Sequence, residues 1–163
     1  MSLRPDLVAC WVYRVTDAGT LEFLLIKRAP GRILPGLWQC VTGSLEEGER
    51  VALGALRELV EETGFGPDQI EAFYDLDLVN TFHEPSVDAV LVESVFAARV
   101  RADAVPALSH EHDDLRWVAP TEAQTLVVWP AYHHAIERIP EYLLDPARAP
   151  WFELTLDGRR VID

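Results

Sequence analysis

The sequence is short of positive charge: 14 Lys and Arg residues stand against 27 Asp and Glu residues, for a formal net charge of −13. So acidic a chain lacks the general attraction to phosphate backbones and anionic lipid that sequence-independent nucleic-acid or membrane-surface binding requires. We therefore expect no nucleic-acid partner and no membrane partner. If the chain handles phosphate groups, it needs a cation to do so.

Cysteine is scarce as well. The two cysteines, Cys10 and Cys40, have a spacing that fits neither a CxxC zinc site nor a disulfide framework. No apolar run reaches 18 residues, and the N-terminal segment lacks the pattern of a signal peptide. Together these absences predict a protein of a reducing interior, the cytoplasm.

Internal repeats and low-complexity tracts are also missing, and no linker marks a boundary. The 163 residues, 49% hydrophobic and 25% charged, are typical of a globular chain that buries a core. We expect a single domain over residues 1–163. The sequence leaves the oligomeric state open, with a homodimer as one alternative.

Strand patterns outnumber helix patterns along the chain. Apolar runs over 7–15 and 21–28, separated by turn residues, predict a hairpin, and Asp157-Gly158 predicts a second, tight one between 152–156 and 159–162. A loop is expected at 83–85, and further strands are predicted over 37–41, 70–79, 87–100 and 115–118.

Helix signals are fewer. Apolar residues three and four apart predict an amphipathic helix from Glu49 to Thr63 that ends at Gly64, and further helices are predicted to open at Pro120 and to span 130–139. The combination favours an α+β sandwich, with a sheet between helices.

Three carboxylates crowd one flank of the predicted first helix, because Glu58 and Glu62 are one turn apart and Glu61 lies beside them. Like charges at this spacing destabilise a helix by roughly 0.2 to 0.5 kcal/mol per pair. A divalent cation would offset this, and oxygen ligands suit Mg²⁺, with Mn²⁺ as a substitute. Gly54 predicts room for a metal or phosphate beside them. The alternative is a solvated acidic helix face, the usual meaning of a charge run.

Arg57 lies among these acidic residues and is predicted to hold Glu49 or Glu61 through a charge-assisted bond. A cation bound here would bridge phosphate oxygens and lower the pKa of a coordinated water, which supplies a nucleophile for attack on phosphorus.

The segment from residue 43 to residue 65 resembles the Nudix (MutT-type) box, GX5EX7REUXEEXGU, and matches it at all nine specified positions. The resemblance implies a Nudix α/β/α sandwich with a mixed β-sheet between helices. It implies a Mg²⁺-dependent hydrolase of a nucleoside diphosphate linked to another group. It also implies that Glu58, Glu61 and Glu62 bind the metal, with structural support from Arg57, Glu49 and Gly64.

Residues 38–44 and 109–118 are similar to segments of the Nudix subgroup that acts on dATP and dihydroneopterin triphosphate. In such proteins a loop carboxylate completes the metal site or serves as general base, and Glu111 occupies the matching position. The resemblance thus implies Glu111 as a fourth metal ligand and either Glu61 or Glu111 as the base. The products would be a monophosphate and pyrophosphate.

Four residues are candidates for contacts with this nucleotide-like substrate. Arg28 closes a predicted strand, and its guanidinium fork suits phosphate, although an exposed strand end is the alternative. Trp38 is a core or pocket-wall residue that could also stack on a nucleobase or pterin. Gln39 could contact a ring edge or be an exposed strand residue. Gly43 opens the box and is the fourth candidate.

Two rival functions use the same scaffold. One is a catalytically silent Nudix domain that binds nucleotides, although the intact carboxylates argue against it. The other is an isopentenyl diphosphate isomerase, which would need a catalytic Cys and Glu pair, and Cys40 lies near the box.

Overall fold

The computed structural model describes residues 2–162. Its strands are β1 Leu7–Val15, β2 Leu21–Arg28, β3 Trp38–Gln39, β4 Val41–Ser44, β5 Ile70–Glu84, β6 Ala89–Val100, β7 His112–Val118 and β8 Glu153–Leu154. Its α-helices are α1 Val51–Thr63, α2 Pro120–Leu126 and α3 Pro130–Arg138, and α3 continues into a π-helical turn, Ile139–Leu143. A 3₁₀ turn, Ala149–Trp151, precedes β8. Within the described range, no helix is long and apolar enough to cross a membrane.

The strands form one mixed sheet in the order β3-β2-β1-β6-β5-β8. β1 and β6 run parallel, and all the other neighbours are antiparallel. β4 pairs with the first half of β1, with Val8 opposite Gly43, while β7 pairs with β2. The segment that opens the box, β4, therefore lies beside β1 near the centre of the sheet.

Helices cover both faces of this sheet, because side chains along β1 alternate between them. Val8, Cys10 and Val12 pack in one apolar cluster with Ala55 and Leu59 of α1. The opposite cluster contains Trp11 and Tyr13 of β1 together with buried side chains of α2, α3 and the π-helical turn, namely Ala123, Tyr132, Ala135, Ile136 and Ile139. The predicted α/β/α sandwich with a mixed sheet is therefore confirmed.

Several boundaries differ from the sequence predictions. The strand predicted over 37–41 is two short strands that pair with different neighbours, β3 with β2 and β4 with β1. The loop predicted at 83–85 is wrong, since β5 continues to Glu84 and turns into β6 over 85–88. α1 begins at Val51 rather than Glu49.

The predicted C-terminal hairpin forms only in part. Its turn is present, because the Gly158 N–H donates to the Thr155 carbonyl at 2.8 Å, and Gly158 has φ 79°. Beyond the turn, a single bridge joins Leu154 to Arg160. On its other edge β8 pairs with β5, which makes β8 the last strand of the main sheet.

Candidate active site

Helix α1 ends where the sequence predicts. Gly64 adopts φ 74°, a left-handed conformation that favours glycine, and its N–H donates to the carbonyl of Val60 at 2.8 Å. A Cβ at Gly64 would also lie 3.3 Å from the Cβ of Ala107. The helix therefore stops sharply, with Glu58, Glu61 and Glu62 in its last two turns.

Arg57 links this helix to the loop before it. Its Nε and Nη2 donate to the two carboxylate oxygens of Glu49 at 2.8 and 3.0 Å, so the charge-assisted bond predicted to Glu49 or Glu61 is a bidentate pair with Glu49. Nη1 donates to Glu58 at 2.7 Å and to Glu61 at 3.3 Å, and Nη2 also reaches the carbonyl of Ser44 at 3.0 Å. The ion pair lowers the pKa of Glu49 to about 2 and raises the pKa of Arg57.

The three helix carboxylates lie in different environments. Glu62 is 2% exposed and Glu58 is also buried, whereas the Glu61 side chain remains 57% exposed. Burial, then the charges of Glu58 and Glu111, raise the pKa of Glu62 to about 9. Burial also raises the pKa of Glu58, although Arg57 opposes the shift. Two carboxyl groups therefore stand close together in a poorly solvated place.

Glu62 meets the loop before β7. Oxygens of Glu62 and Glu111 and a ring nitrogen of His112 all lie within 4.8 Å of one another. Two buried atoms in this group have no hydrogen-bond partner, Oε2 of Glu62 and Nδ1 of His112. Carboxylate oxygen and imidazole nitrogen are both ligands of divalent cations. A buried polar atom without a partner destabilises the fold, so a divalent cation that bound these two atoms would remove that cost.

Glu58 and Glu61 lie outside this group of three, and both accept hydrogen bonds from Arg57. Glu58 nevertheless lies close enough to Glu62 to raise its pKa. The structure thus brings Glu111 to Glu62, as the resemblance implies, and places Glu58 beside them. It leaves Glu61 at the solvent edge of the same helix.

Gly43 lies directly against the Glu58 carboxyl group. A Cβ built on Gly43 would overlap the carboxyl carbon and both of its oxygens. The glycine that opens the box therefore makes space for the carboxylate. The space predicted at Gly54 is different: it is filled by the Leu45 side chain and by Glu49 Oε2, 3.0 Å from the position of a Cβ, so the prediction of room for a metal or phosphate there is wrong.

We expect Gly43→Ala to lower kcat by about 10- to 100-fold, because a carboxylate displaced by about 1 Å costs that much in catalytic sites. The Glu58 carboxylate cannot move away without losing its hydrogen bond from Nη1 of Arg57, which is 2.7 Å long. Steady-state kinetics and a melting curve of each variant check this. Gly66→Ala is the matched control, as its Cβ would meet only Asp68 Oδ1 at 3.1 Å. Equal kcat for both variants would contradict the prediction.

Two of the candidate substrate residues, Arg28 and Trp38, lie on the neighbouring strands β2 and β3. Arg28 faces His112 across the β2–β7 pair, and its Nε donates to the carbonyl of Ile33. Arg28 also opposes the rise in the pKa of Glu62, so its charge reaches the acidic group. Trp38 packs against the core, with the guanidinium carbon of Arg116 4.9 Å and Lys27 Nζ 5.7 Å from its ring centroid.

Gln39 is not the exposed strand residue that was considered as an alternative, since it is 3% exposed. Its amide Nε2 lies 2.9 Å from Nε2 of His112. Its contact with a substrate ring stays a prediction.

His112 is the residue that the sequence analysis missed. Burial, followed by the charge of Arg28, lowers its pKa to about 4, so the ring is neutral at pH 7. A second buried polar group was also passed over: Glu93 accepts hydrogen bonds from Asn80 at 3.0 Å and Thr42 at 3.2 Å. For His112 the sequence did contain one signal, because this residue directly follows Glu111, a predicted metal ligand.

The thiol of Cys40 is 1% exposed, and burial raises its pKa well above the ordinary value. A neutral, enclosed thiol is a poor nucleophile. The structure therefore lends no support to the isomerase alternative.

Fold and site together define a protein of the Nudix class, and the comparisons with known proteins agree. The sequence model of the NUDIX domain matches residues 4–139, and the chain belongs to the Nudix family. The Escherichia coli dihydroneopterin triphosphate pyrophosphohydrolase is 26% identical, with a TM-score of 0.70 over 83% of this chain and 94% of that one.

A Nudix hydrolase of Listeria monocytogenes is also 26% identical, with a TM-score of 0.70 over 86% of this chain and 95% of that one. An octanoyltransferase of Myxococcus xanthus is 41% identical over 106 residues, which are 63% of this chain and 28% of that protein. The chain thus matches little more than a quarter of the length of this curated relative. Nothing in the site described here relates to that protein's named activity.

Proposed function

We propose that this chain is a divalent-metal-dependent diphosphohydrolase of a nucleoside triphosphate or a related compound, in the class of dATP and dihydroneopterin triphosphate. It would release a monophosphate and pyrophosphate. The observation that carries the proposal is that Glu62 of a complete Nudix box lies within 4.8 Å of Glu111, with Glu58 beside them. The 26% identity to a pyrophosphohydrolase of dihydroneopterin triphosphate supports the substrate class.

Glu58, Glu61, Glu62 and Glu111 would hold the cation, Mg²⁺ or its substitute Mn²⁺. When bound, such an ion neutralises phosphate charge and lowers the pKa of a coordinated water. Its positive charge would offset the burial and the neighbouring negative charges that raise the pKa of Glu62, so Glu62 would bind as the carboxylate.

The remaining residues would orient the reactants. Arg57 and Glu49 fix the helix carboxylates through the bidentate pair, and Gly43 keeps the approach to Glu58 open. Glu61 or Glu111 would accept the proton of the attacking water, since both are less enclosed than Glu62. Arg28 would contact phosphate, and Trp38 would pack against the base or pterin ring.

A substrate panel tests this proposal. Nucleoside triphosphates, dihydroneopterin triphosphate, dinucleotide polyphosphates and sugar nucleotides are incubated with enzyme and Mg²⁺, and phosphate is measured with and without added inorganic pyrophosphatase. We expect turnover of a triphosphate, phosphate signal that requires the pyrophosphatase, and loss of the signal in EDTA. A nucleotide that raises the melting temperature with Mg²⁺ but is never hydrolysed would instead support the silent binding module.

A further inference from the structure

His112 is a buried residue at the start of β7 with one unused ring nitrogen. It is 4% exposed, and Nδ1 has no hydrogen-bond partner. A buried polar atom without a partner is costly, so native structures rarely keep one unless something binds it. The proposed function gives His112 no role.

A bulge in the sheet sets the direction of this side chain. Lys27 pairs with Asp114, but Arg28 pairs with His112, so Asp113 is an extra residue in β7. Bulges change the direction of a side chain and are frequent beside active sites. Glu111 lies in the turn that precedes β7, and both it and His112 reach Glu62.

The spacing of the three side chains suits a single ion. Their nearest ligand atoms lie within 4.8 Å of one another, and ligands at about 2.1 Å on opposite sides of one ion lie about 4.2 Å apart. Oε2 of Glu62, which belongs to a different element, is also buried without a partner. A cation between helix α1 and the loop before β7 would satisfy both unpartnered atoms together.

We propose that Nδ1 of His112 is a direct nitrogen ligand of the divalent cation, beside Glu62 and Glu111. The inference rests on the proposed function, because it assigns one more ligand to the same metal site. Gln39 supports the arrangement from the other side of the ring. With Nδ1 on the metal, the ring proton lies on Nε2, and a half-turn of the Gln39 amide presents its oxygen to accept that proton.

A nitrogen ligand changes which metals the site prefers. Mg²⁺ binds oxygen ligands almost exclusively, whereas Mn²⁺ and Co²⁺ accept imidazole more readily. His112 therefore raises the affinity for Mn²⁺ relative to Mg²⁺ above that of an all-carboxylate site. We expect His112→Gln to lower the ratio of the two affinities by about tenfold or more.

The test is pulsed electron paramagnetic resonance of the Mn²⁺-loaded protein, which detects the modulation from a directly bound ¹⁴N nucleus. Protein grown with ¹⁵N-histidine identifies the nitrogen as imidazole, and this measurement on the unaltered chain does not depend on any variant folding. His112→Gln is then compared with His110→Gln, an exposed histidine two residues away. Calorimetric titration with Mn²⁺ and Mg²⁺ gives the affinity ratio of each protein.

We expect a ¹⁵N-sensitive histidine signal in the wild type and in His110→Gln, its loss in His112→Gln, and the lowered affinity ratio in the last. Stoichiometric Mn²⁺ binding without histidine coupling in the wild type would overturn the inference and leave the proposed function intact. A signal that persists in His112→Gln would overturn it equally. If neither Mn²⁺ nor Mg²⁺ binds the wild type, the proposed function itself fails.

Discussion

Glu62→Gln is expected to lower kcat by about 10²- to 10³-fold, because a ligated cation provides several kcal/mol of transition-state charge stabilisation and this change removes its most enclosed carboxylate. The same change should abolish the rise in melting temperature on adding Mg²⁺. Steady-state turnover of the substrate found in the panel, together with melting curves at several Mg²⁺ concentrations, measures both effects.

Without metal, Glu62→Gln should be more stable than the wild type at high pH. The Glu62 carboxyl has a pKa of about 9 in the folded chain and about 4.5 as its ordinary value, so between these pH values the folded state holds a proton that the unfolded state releases. Stability of the wild type therefore falls as pH rises through this window. Glutamine has no such proton, so its advantage should grow from pH 5 to pH 8.

Urea denaturation in EDTA at pH 5, 6.5 and 8 measures this second effect. Glu47→Gln, which alters an exposed carboxylate of the loop before α1, is the control and should keep the slope of the wild type. Parallel pH profiles for the wild type and Glu62→Gln would show that Glu62 carries no buried proton.

Arg57→Ala should be the most destabilising single change near the site. It removes charge-assisted hydrogen bonds to Glu49 and Glu58, which leaves the largely enclosed Glu58 without a partner among the described residues and Glu49 with only the N–H of Glu46. We expect a loss of about 2 to 4 kcal/mol in the free energy of unfolding. Because Glu58 loses its anchor, kcat should also fall by about 10- to 100-fold.

Arg57→Lys separates charge from geometry, since lysine keeps the positive charge and lacks the planar fork. We expect it to recover part of the stability and little of the activity. Arg101→Ala, which breaks an exposed pair with Asp103, serves as the control and should leave turnover unchanged. Full activity in Arg57→Lys would show that charge alone, and not the bidentate bond, positions the carboxylates.

Much of the architecture was open to prediction from the sequence because it depends on local signals. The periodic apolar residues of α1 and the glycine that ends it are such signals, and both predictions are confirmed. The Nudix box identifies the family for the same reason, as its residues lie in one continuous segment from the end of β4 to the end of α1. The strand boundaries were less predictable, because β4 and β8 depend on partners far away in the chain.

The site shows the same division between local and distant information. The Arg57–Glu49 bond spans one loop and was foreseeable, whereas the meeting of Glu62 with residues 111 and 112 depends on how β7 pairs with β2. The bulge at Asp113 has no signature in the sequence. The error at Gly54 has a similar cause, since only the packed structure shows that Leu45 takes the space beside it.

The position of β1 determines how cooperatively the domain unfolds. Alternate residues of this one strand belong to both apolar clusters, and its two edges are paired along the same stretch to β4 and β6. Neither α1 on one face nor α2 and α3 on the other can separate from the sheet without disrupting β1, against which both layers pack. Amide protons of β1 should therefore exchange only through global unfolding. Proteolytic cleavage within β1 should likewise require unfolding of the whole domain.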